Sequence, residues 1–266
     1  MRPADQRSID ERIQTYYGET FDEGARLTSR SAQGPLEFRR TQELIREHTS
    51  CGRLVDIGGG TGVHAKALQD DGYDVHLIEP VQRHVDAARE AGLEATLGDA
   101  RDLPVTSGTF DVALLLGPLY HLASATDRRL SLTEAHRALK PGGMLFAAAL
   151  SRNIAFASLS LAQEIPAQMP DDWAALLITG TPSPRLRFPA GHYHTAEELY
   201  EEISQAGFEV HDVHGVEGPA GPLLEMANDT DDELLEAALT IARAASTVPG
   251  IRDQSSHLIA LARRPL

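Results

Sequence analysis

From Arg53 onward, short apolar runs alternate with stretches whose apolar residues recur every three or four positions. The runs at 53–57, 74–78, 94–97, 110–116, 144–150, 208–213 and 257–262 read as strands. The run at 110–116 is apolar almost throughout after Asp111, as expected for a strand buried in the middle of a sheet. Between the runs lie helical patterns. Residues 63–69 are closed by Gly72; Val81, Val85 and Ala88 share one face and stop at Gly92; Leu132, Ala135 and Leu139 share another. Thr195-Ala-Glu-Glu198 has the spacing of a capping box and opens a helix ending at Gly207, and a further helix covers 231–245. The alternation predicts an α/β chain with a mostly parallel sheet covered by helices on both faces.

Two segments stand outside this rhythm. Residues 1–50 read as helical, most clearly at 35–48, and residues 151–193 mix apolar residues with several prolines. Both are long enough to cover a site, and both could equally be peripheral packing. In the second, Phe156, Leu159, Leu161, Trp173 and Leu177 would form an apolar cover or the segment's own core, and Arg185 and Arg187 would meet an acidic group or solvent.

The loop V-D-I-G-G-G-T-G at 55–62 brings backbone close to a ligand. It lacks the G-x-x-x-x-G-K-[ST] pattern of a nucleoside-triphosphate loop. It also departs from the dinucleotide fingerprint, with Gly58, Gly60 and Gly62 spaced G-x-G-x-G and Val63 where that fingerprint needs a small residue. Glu79 closes the second strand at the offset where a carboxylate meets ribose hydroxyls. Asp99, in Gly98-Asp99-Ala100 at the end of the third, can accept a hydrogen bond from an exocyclic amine such as that of adenine. A solvated loop acid is the plain alternative for either alone. Glycines and two acids at three successive strand ends point to a nucleoside-bearing ligand.

The stretches V-D-I-G-G-G-T-G (55–62), V-H-L-I-E-P (75–80), L-G-D-A-R-D-L-P (97–104), F-D-V-A-L-L-L (110–116) and L-K-P-G-G-M-L (139–145) resemble the class I S-adenosylmethionine-dependent methyltransferases, in that family's order and spacing. The resemblance is to small-molecule members in general. It implies a Rossmann-like methyltransferase fold of seven strands, the last antiparallel and lying between the fifth and sixth, with helical lid segments. One domain would span 1–266: a helical cap (1–50), a cofactor-binding core (51–150), a lid insertion (151–193) and the completion of the sheet (194–266). It further implies S-adenosylmethionine as cofactor and S-adenosylhomocysteine as product. Asp56, Gly58, Gly60 and Gly62 would lie near the methionine part, Glu79 at the ribose, Asp99 and Ala100 at the adenine, with Leu116 alongside.

Methyl transfer from a sulfonium needs alignment in a water-poor pocket, and a hydroxyl acceptor also needs a base. Candidates are sought at the carboxyl ends of the strands. Gly117-Pro118-Leu119-Tyr120-His121 follows the fourth strand, where relatives acting on nucleobase or amide nitrogens often carry Asn/Asp-Pro-Pro-Tyr/Phe; the departure weakens those substrates. His121 would be the base, or would position the cofactor or cap the next helix. Glu217 is a second base candidate or a turn carboxylate. His192 is a third, sharing a face with His194 in an extended segment; without a convincing third ligand no metal is expected. Tyr16, Tyr17, Tyr120 and Tyr193 would meet the acceptor.

Composition narrows the partners. Acidic residues outnumber basic ones 39 to 24 for a net charge of −15, which disfavours a phosphate-backbone partner. One cysteine, Cys51, excludes an internal disulfide and a Cys-rich zinc site. No signal peptide or long apolar stretch is visible, so a cytoplasmic protein without a membrane partner, monomeric or homodimeric, is expected. The expected activity is methyl transfer to an oxygen or nitrogen of a small organic molecule, such as a secondary metabolite. The alternative is a non-catalytic S-adenosylmethionine-binding regulator or partner protein; a nicotinamide dehydrogenase is disfavoured by Val63 and the downstream motifs.

Overall fold

A computed structural model of the chain describes residues 6–17, 27, 31–153, 169–183, 188–227 and 231–266. Phe156, Leu159, Leu161, Arg185 and Arg187 lie outside the described residues. Seven strands form one sheet: β1 (Arg53–Ile57), β2 (Asp74–Glu79), β3 (Glu94–Leu97), β4 (Phe110–Leu115), β5 (Leu139–Leu150), β6 (Glu209–Gly215) and β7 (His257–Arg263), in the order β3-β2-β1-β4-β5-β7-β6. The pairs from β3 to β5 are parallel, and β7 runs antiparallel to both β5 and β6, the topology that the resemblance implied.

The unbroken apolar strands have both faces buried. Val55, Ile57, Ala113, Leu115 and Leu145 point into one core, and Leu54, Val112, Leu114 and Phe146 into the other. That is the two-residue period of a strand, with apolar residues in both phases. The first core is closed by Leu132 and Ala135 of one helix and Leu199 and Ile203 of another; the second by Leu44, Ile45, Leu68 and Val85. Each fully buried Val, Leu or Phe side chain contributes roughly 1.5–3 kcal/mol.

Before β1 come α1 (Gln6–Thr15) and α2 (Gln33–His48). The sheet's helices are α3 (Val63–Asp70), α4 (Gln82–Glu90), the single turn α5 (Pro118–His121) and α6 (Ala125–Ala138). Then follow α7 (Met169–Thr179), α8 (Ala196–Gln205), the short α9 (Gly221–Glu225) and α10 (Asp232–Ala245). Thr195 and Glu198 form the capping box read from their spacing, and the Asp231 side chain accepts from the Leu234 N–H to cap α10. Leu36 of α2 packs with Leu235, Ala238 and Leu239 of α10, which fixes the amino-terminal cap to the rest of the chain.

One boundary differs from the reading. The fifth strand was expected at 144–150, but β5 begins at Leu139, opposite Phe110, with a register shift before Val112. Gly142 takes a left-handed φ of 80°, which lets the strand bulge around a proline that has no N–H for the ladder. Among the described residues no helix is long and apolar enough to cross a membrane.

Candidate functional site

The parallel strands β1, β2 and β4 end on one side of the sheet, and their following loops open a cavity there. The Gly58 N–H donates to the Ile78 carbonyl at 2.7 Å, tying the start of the glycine loop to β2. The turn then demands glycine: Gly62 has φ 85°, and a Cβ there would lie 2.3 Å from Leu93 Cδ1. Asp56 lies beneath the loop, 1% exposed, with Oδ1 lacking any hydrogen-bond partner. Burial first, and the charge of Glu79 second, push its carboxyl up to about 7. Glu79 is also buried. Its Oε2 accepts from the Gly60 N–H at 3.0 Å and its Oε1 from the Val81 N–H at 3.1 Å, with His84 Nδ1 at 3.4 Å. Glu79 therefore braces the glycine loop, a role its spacing did not reveal, while each oxygen keeps a further lone pair for a ligand hydroxyl.

At the end of β3, Asp99 accepts from the Arg101 backbone N–H at 2.8 Å and from its guanidinium. Burial pushes this carboxyl up, but the Arg101 bonds outweigh it and hold the group below the usual carboxylate range. Arg101 also reaches Asp10 of α1 at 3.1 Å, so a helix of the cap is latched to the acid expected at the adenine.

The opposite wall is built by α5, α2 and β7. His121 Nδ1 donates to the Pro189 carbonyl at 2.8 Å, and the Tyr17 hydroxyl lies 3.2 Å from Nε2. Desolvation of the ring pushes it down to about 4, so it is neutral at physiological pH. Gln6 of α1 accepts from the Ala123 N–H at 2.8 Å and donates to the His121 carbonyl at 3.2 Å. Glu37 and Thr41 of α2 and His257 of β7 face the same cavity. Behind His257 stands Glu217, wholly buried, whose Oε2 accepts from the His257 backbone N–H at 3.0 Å and whose Oε1 accepts from Nδ1 at 2.5 Å. Glu37 Oε2 is 3.6 Å from the same ring nitrogen.

Of the residues singled out from sequence, Asp56, Gly58, Gly60, Glu79, Asp99, Ala100, Leu116, Tyr17, Tyr120 and His121 line this cavity. Gly62 shapes the loop from behind, and Tyr16 packs edge-on against Tyr17 and Phe188 instead of lining the wall. His192 and Tyr193, expected at the acceptor, are not among the residues that line this cavity. His192 packs against His194, with Nε2 3.8 Å from Glu198, and burial, then His194, push it down to about 2. Burial of Tyr193 pushes its phenol up to about 12. The physical reason is the Arg128–Glu202 pair at 2.6 Å, around which this segment folds: His194 Nε2 lies 3.2 Å from Glu202. His192, His194 and Glu202 bring their ligand atoms within 4.8 Å of one another, but Arg128 already holds both Glu202 oxygens. The sequence reading missed Glu37, His84, Arg101 and His257 on the cavity wall.

These residues suit S-adenosylmethionine. An orphaned buried carboxylate oxygen beside a second buried carboxylate calls for a cationic group, which the amino-acid end of that cofactor supplies. Glu79 and Asp99 retain acceptor capacity for ribose hydroxyls and an exocyclic amine.

Comparison with known proteins agrees. Residues 55–147 match the methyltransferase domain family. The chain is 38% identical over 104 residues to the ubiquinone/menaquinone biosynthesis C-methyltransferase of Cereibacter sphaeroides, covering 35% of this chain and 40% of that protein. It is 30% identical over 132 residues to a mouse tRNA (carboxymethyluridine(34)-5-O)-methyltransferase, covering 49% of this chain and 19% of that one. The chain thus spans two-fifths or less of the length of these two relatives. Among solved structures, a Thermotoga maritima S-adenosylmethionine-dependent methyltransferase, described as a possible histamine N-methyltransferase, aligns with TM-score 0.62 at 19% identity over 96% of this chain and 99% of that one. The Burkholderia thailandensis 1,6-didemethyltoxoflavin-N1-methyltransferase, solved with its substrate and S-adenosylhomocysteine, aligns with TM-score 0.62 at 15% identity over 100% of this chain and 93% of the other. At these identities the structural likeness is one of fold. With the match at 55–147 and the strand order, the chain carries a methyltransferase domain in the Rossmann-like methyltransferase fold.

Proposed function

We propose that the protein transfers a methyl group from S-adenosylmethionine to an oxygen or nitrogen of a small organic molecule. The observation that carries this reading is a single cavity with two unlike walls. One wall holds the glycine loop, Asp56, Glu79 and Asp99; the other holds Tyr120, His121, Glu37 and His257. Bound S-adenosylmethionine supplies a methyl group already activated by its sulfonium. The chain's own task is to orient two molecules and keep water out. Asp56 and the glycine loop would hold the amino-acid end, Glu79 the ribose, and Asp99 with Ala100 the base. Asp10 and Gln14 of α1, and Tyr17 just beyond it, close the cavity. His121, neutral and bonded at both ring nitrogens, serves as a fixed strut between α5, Tyr17 and the 188–190 segment and not as the proton acceptor.

A small acceptor is favoured by the charge balance, since −15 repels a polyanionic backbone, and by the enclosure of the cavity beneath α1. The test is calorimetry with S-adenosylmethionine, S-adenosylhomocysteine and NADH, followed by a mass-spectrometric acceptor screen for a gain of one methyl group. Binding of the first two and not NADH, with methylation of a small molecule, is expected. Tight NADH binding without response to S-adenosylmethionine would overturn the reading, and methylation of tRNA alone would overturn the acceptor class.

A further inference from the structure

We propose that the outer face of α10 is a self-association surface, on which a second copy of this chain docks its own α10 antiparallel to the first. A helix lying on a globular core carries one apolar stripe, turned inward. α10 carries two. Leu235, Leu239 and Ala242 are buried in one cluster with Leu36 of α2. On the other side Leu234, Ala237, Ile241 and Ala244 stand exposed, and Val248 continues the row three residues past the helix end. Leu234 is 47%, Ile241 49% and Val248 40% exposed. Their spacing of three, four, three and four is that of a seam between two helices. Among the described residues, the large exposed apolar side chains of α6, α7 and α8 are single: Leu130, Ile178 and Tyr200.

The seam complements itself. Turned end for end, it sets Leu234 against Ala244 of the second copy and Ala237 against Ile241. Each large side chain then meets a small one, in four layers related by a two-fold axis. Charge sets the orientation. Asp232, Glu233 and Glu236 stand in the first half of α10, and its only cation, Arg243, stands near the end. A parallel pair would bring the acidic ends together. The antiparallel pair brings Glu233 to within about 3 Å, measured along the axis, of the level of Arg243 of the second copy. At roughly 100° per residue the two also fall on the same flank of the seam, so the ion pair forms twice. Arg243 grips Glu43 through Nε and Nη2, and its Nη1 bonds none of the described residues. The rest of that flank is Thr240 and Thr247, without charge, which suits a chain of net charge −15 meeting itself. No residue of α10 lines the cavity, so the inference does not depend on the reaction.

The test is sedimentation equilibrium of the full chain, from about 1 µM to about 100 µM. Wild type should approach twice 28.8 kDa. Ile241→Glu, at a half-exposed position, should melt with wild type in dilute solution and weaken the dimer at least about 30-fold. Orientation is read by oxidative cross-linking with Cys51→Ser in every chain, since Cys51 is exposed. A mixture of Leu234→Cys and Ala244→Cys chains should cross-link. Leu234→Cys alone should not, because antiparallel packing holds its two copies about 15 Å apart along the axis. A monomer at the highest concentration, an Ile241→Glu dimer as tight as wild type, or cross-linking of Leu234→Cys alone would each overturn the inference. An Ile241→Glu chain that melts well below wild type in dilute solution would place the stripe against the chain's own residues, and overturn it as well.

Discussion

Asp56→Asn should stabilise the ligand-free protein at pH 8 while weakening its hold on S-adenosylmethionine. The carboxyl is 1% exposed beneath the glycine loop, and burial, then Glu79, raise it from an ordinary 3.8 to about 7. The sign follows from which state holds the proton. Below both values the group is neutral in folded and unfolded chains and costs folding nothing. Between them the unfolded chain has lost its proton and the folded one has not, so stability falls as pH rises. Above about 7 both are ionised and the full penalty is present. At 1.36 kcal/mol for each tenfold, that interval is worth about 4 kcal/mol, an upper bound because neighbours relax. Asparagine keeps the shape and cannot ionise. Its advantage at pH 8 should approach about 4 kcal/mol, or roughly 8 °C in Tm for a chain of this length. At pH 5 it should fall below about 2 kcal/mol.

Thermal melts of both proteins at pH 5 and pH 8 read this directly. The cofactor side is read by calorimetry at pH 6 in two buffers of different ionisation enthalpy. A cation seated beside Asp56 favours its ionised form, so binding should release a proton from wild type and none from the mutant, with affinity reduced at least about tenfold. A Tm difference that is the same at both pH values, or equal proton release from both proteins, would refute the reasoning.

Further outcomes are expected. Gly62→Ala, forced to φ 85° with its methyl against Leu93, should cost about 2–5 kcal/mol in urea unfolding from left-handed strain and overpacking; a loss under about 1 kcal/mol would count against the loop geometry. Arg128→Met should cost about 3–5 kcal/mol by stranding Glu202 beside His194. Burial raises Glu202, but its bonds to His194 and Arg128 prevail and hold it at about 2, so its stabilisation is present above 4.5 and should disappear in wild-type melts as pH falls from there toward 2. Arg101→Gln should speed hydrogen exchange across α1 at least tenfold with little change in global stability; unchanged exchange would remove the latch. His121→Asn should flatten the wild-type loss of stability between pH 6.5 and about 4, where the unfolded ring is charged and the folded one is not.

The sheet was legible because its strands are buried on both faces, and burial writes itself into a sequence as apolar runs with helical patterns between them. The cofactor wall was legible for a related reason. In parallel strands the residues facing such a cavity gather at the carboxyl ends, so Asp56, Glu79 and Asp99, which line it, stand at countable offsets. What escaped were contacts made across the sheet's order. Arg101 gave no signal of its own because its partner Asp10 is 91 positions away. His192 was expected at the pocket, yet its segment is placed by Arg128 and Glu202, on two helices whose meeting no spacing reveals.

His257 shows why the acceptor end was the hardest to read. In parallel strands the residues that reach such a cavity stand at the carboxyl ends. β7 runs the other way, so the residue that reaches the cavity stands at its amino end, ahead of the apolar run. Glu217 was noticed after β6 and taken as a base or a turn acid. It is wholly buried and accepts from His257 at the backbone N–H and at Nδ1. The Val216 N–H donates to the His257 carbonyl at 3.0 Å, so the end of β6 and the start of β7 are held in register there. Antiparallel insertion of β7 thus joins two residues 40 positions apart into one acid–imidazole unit at the cavity wall.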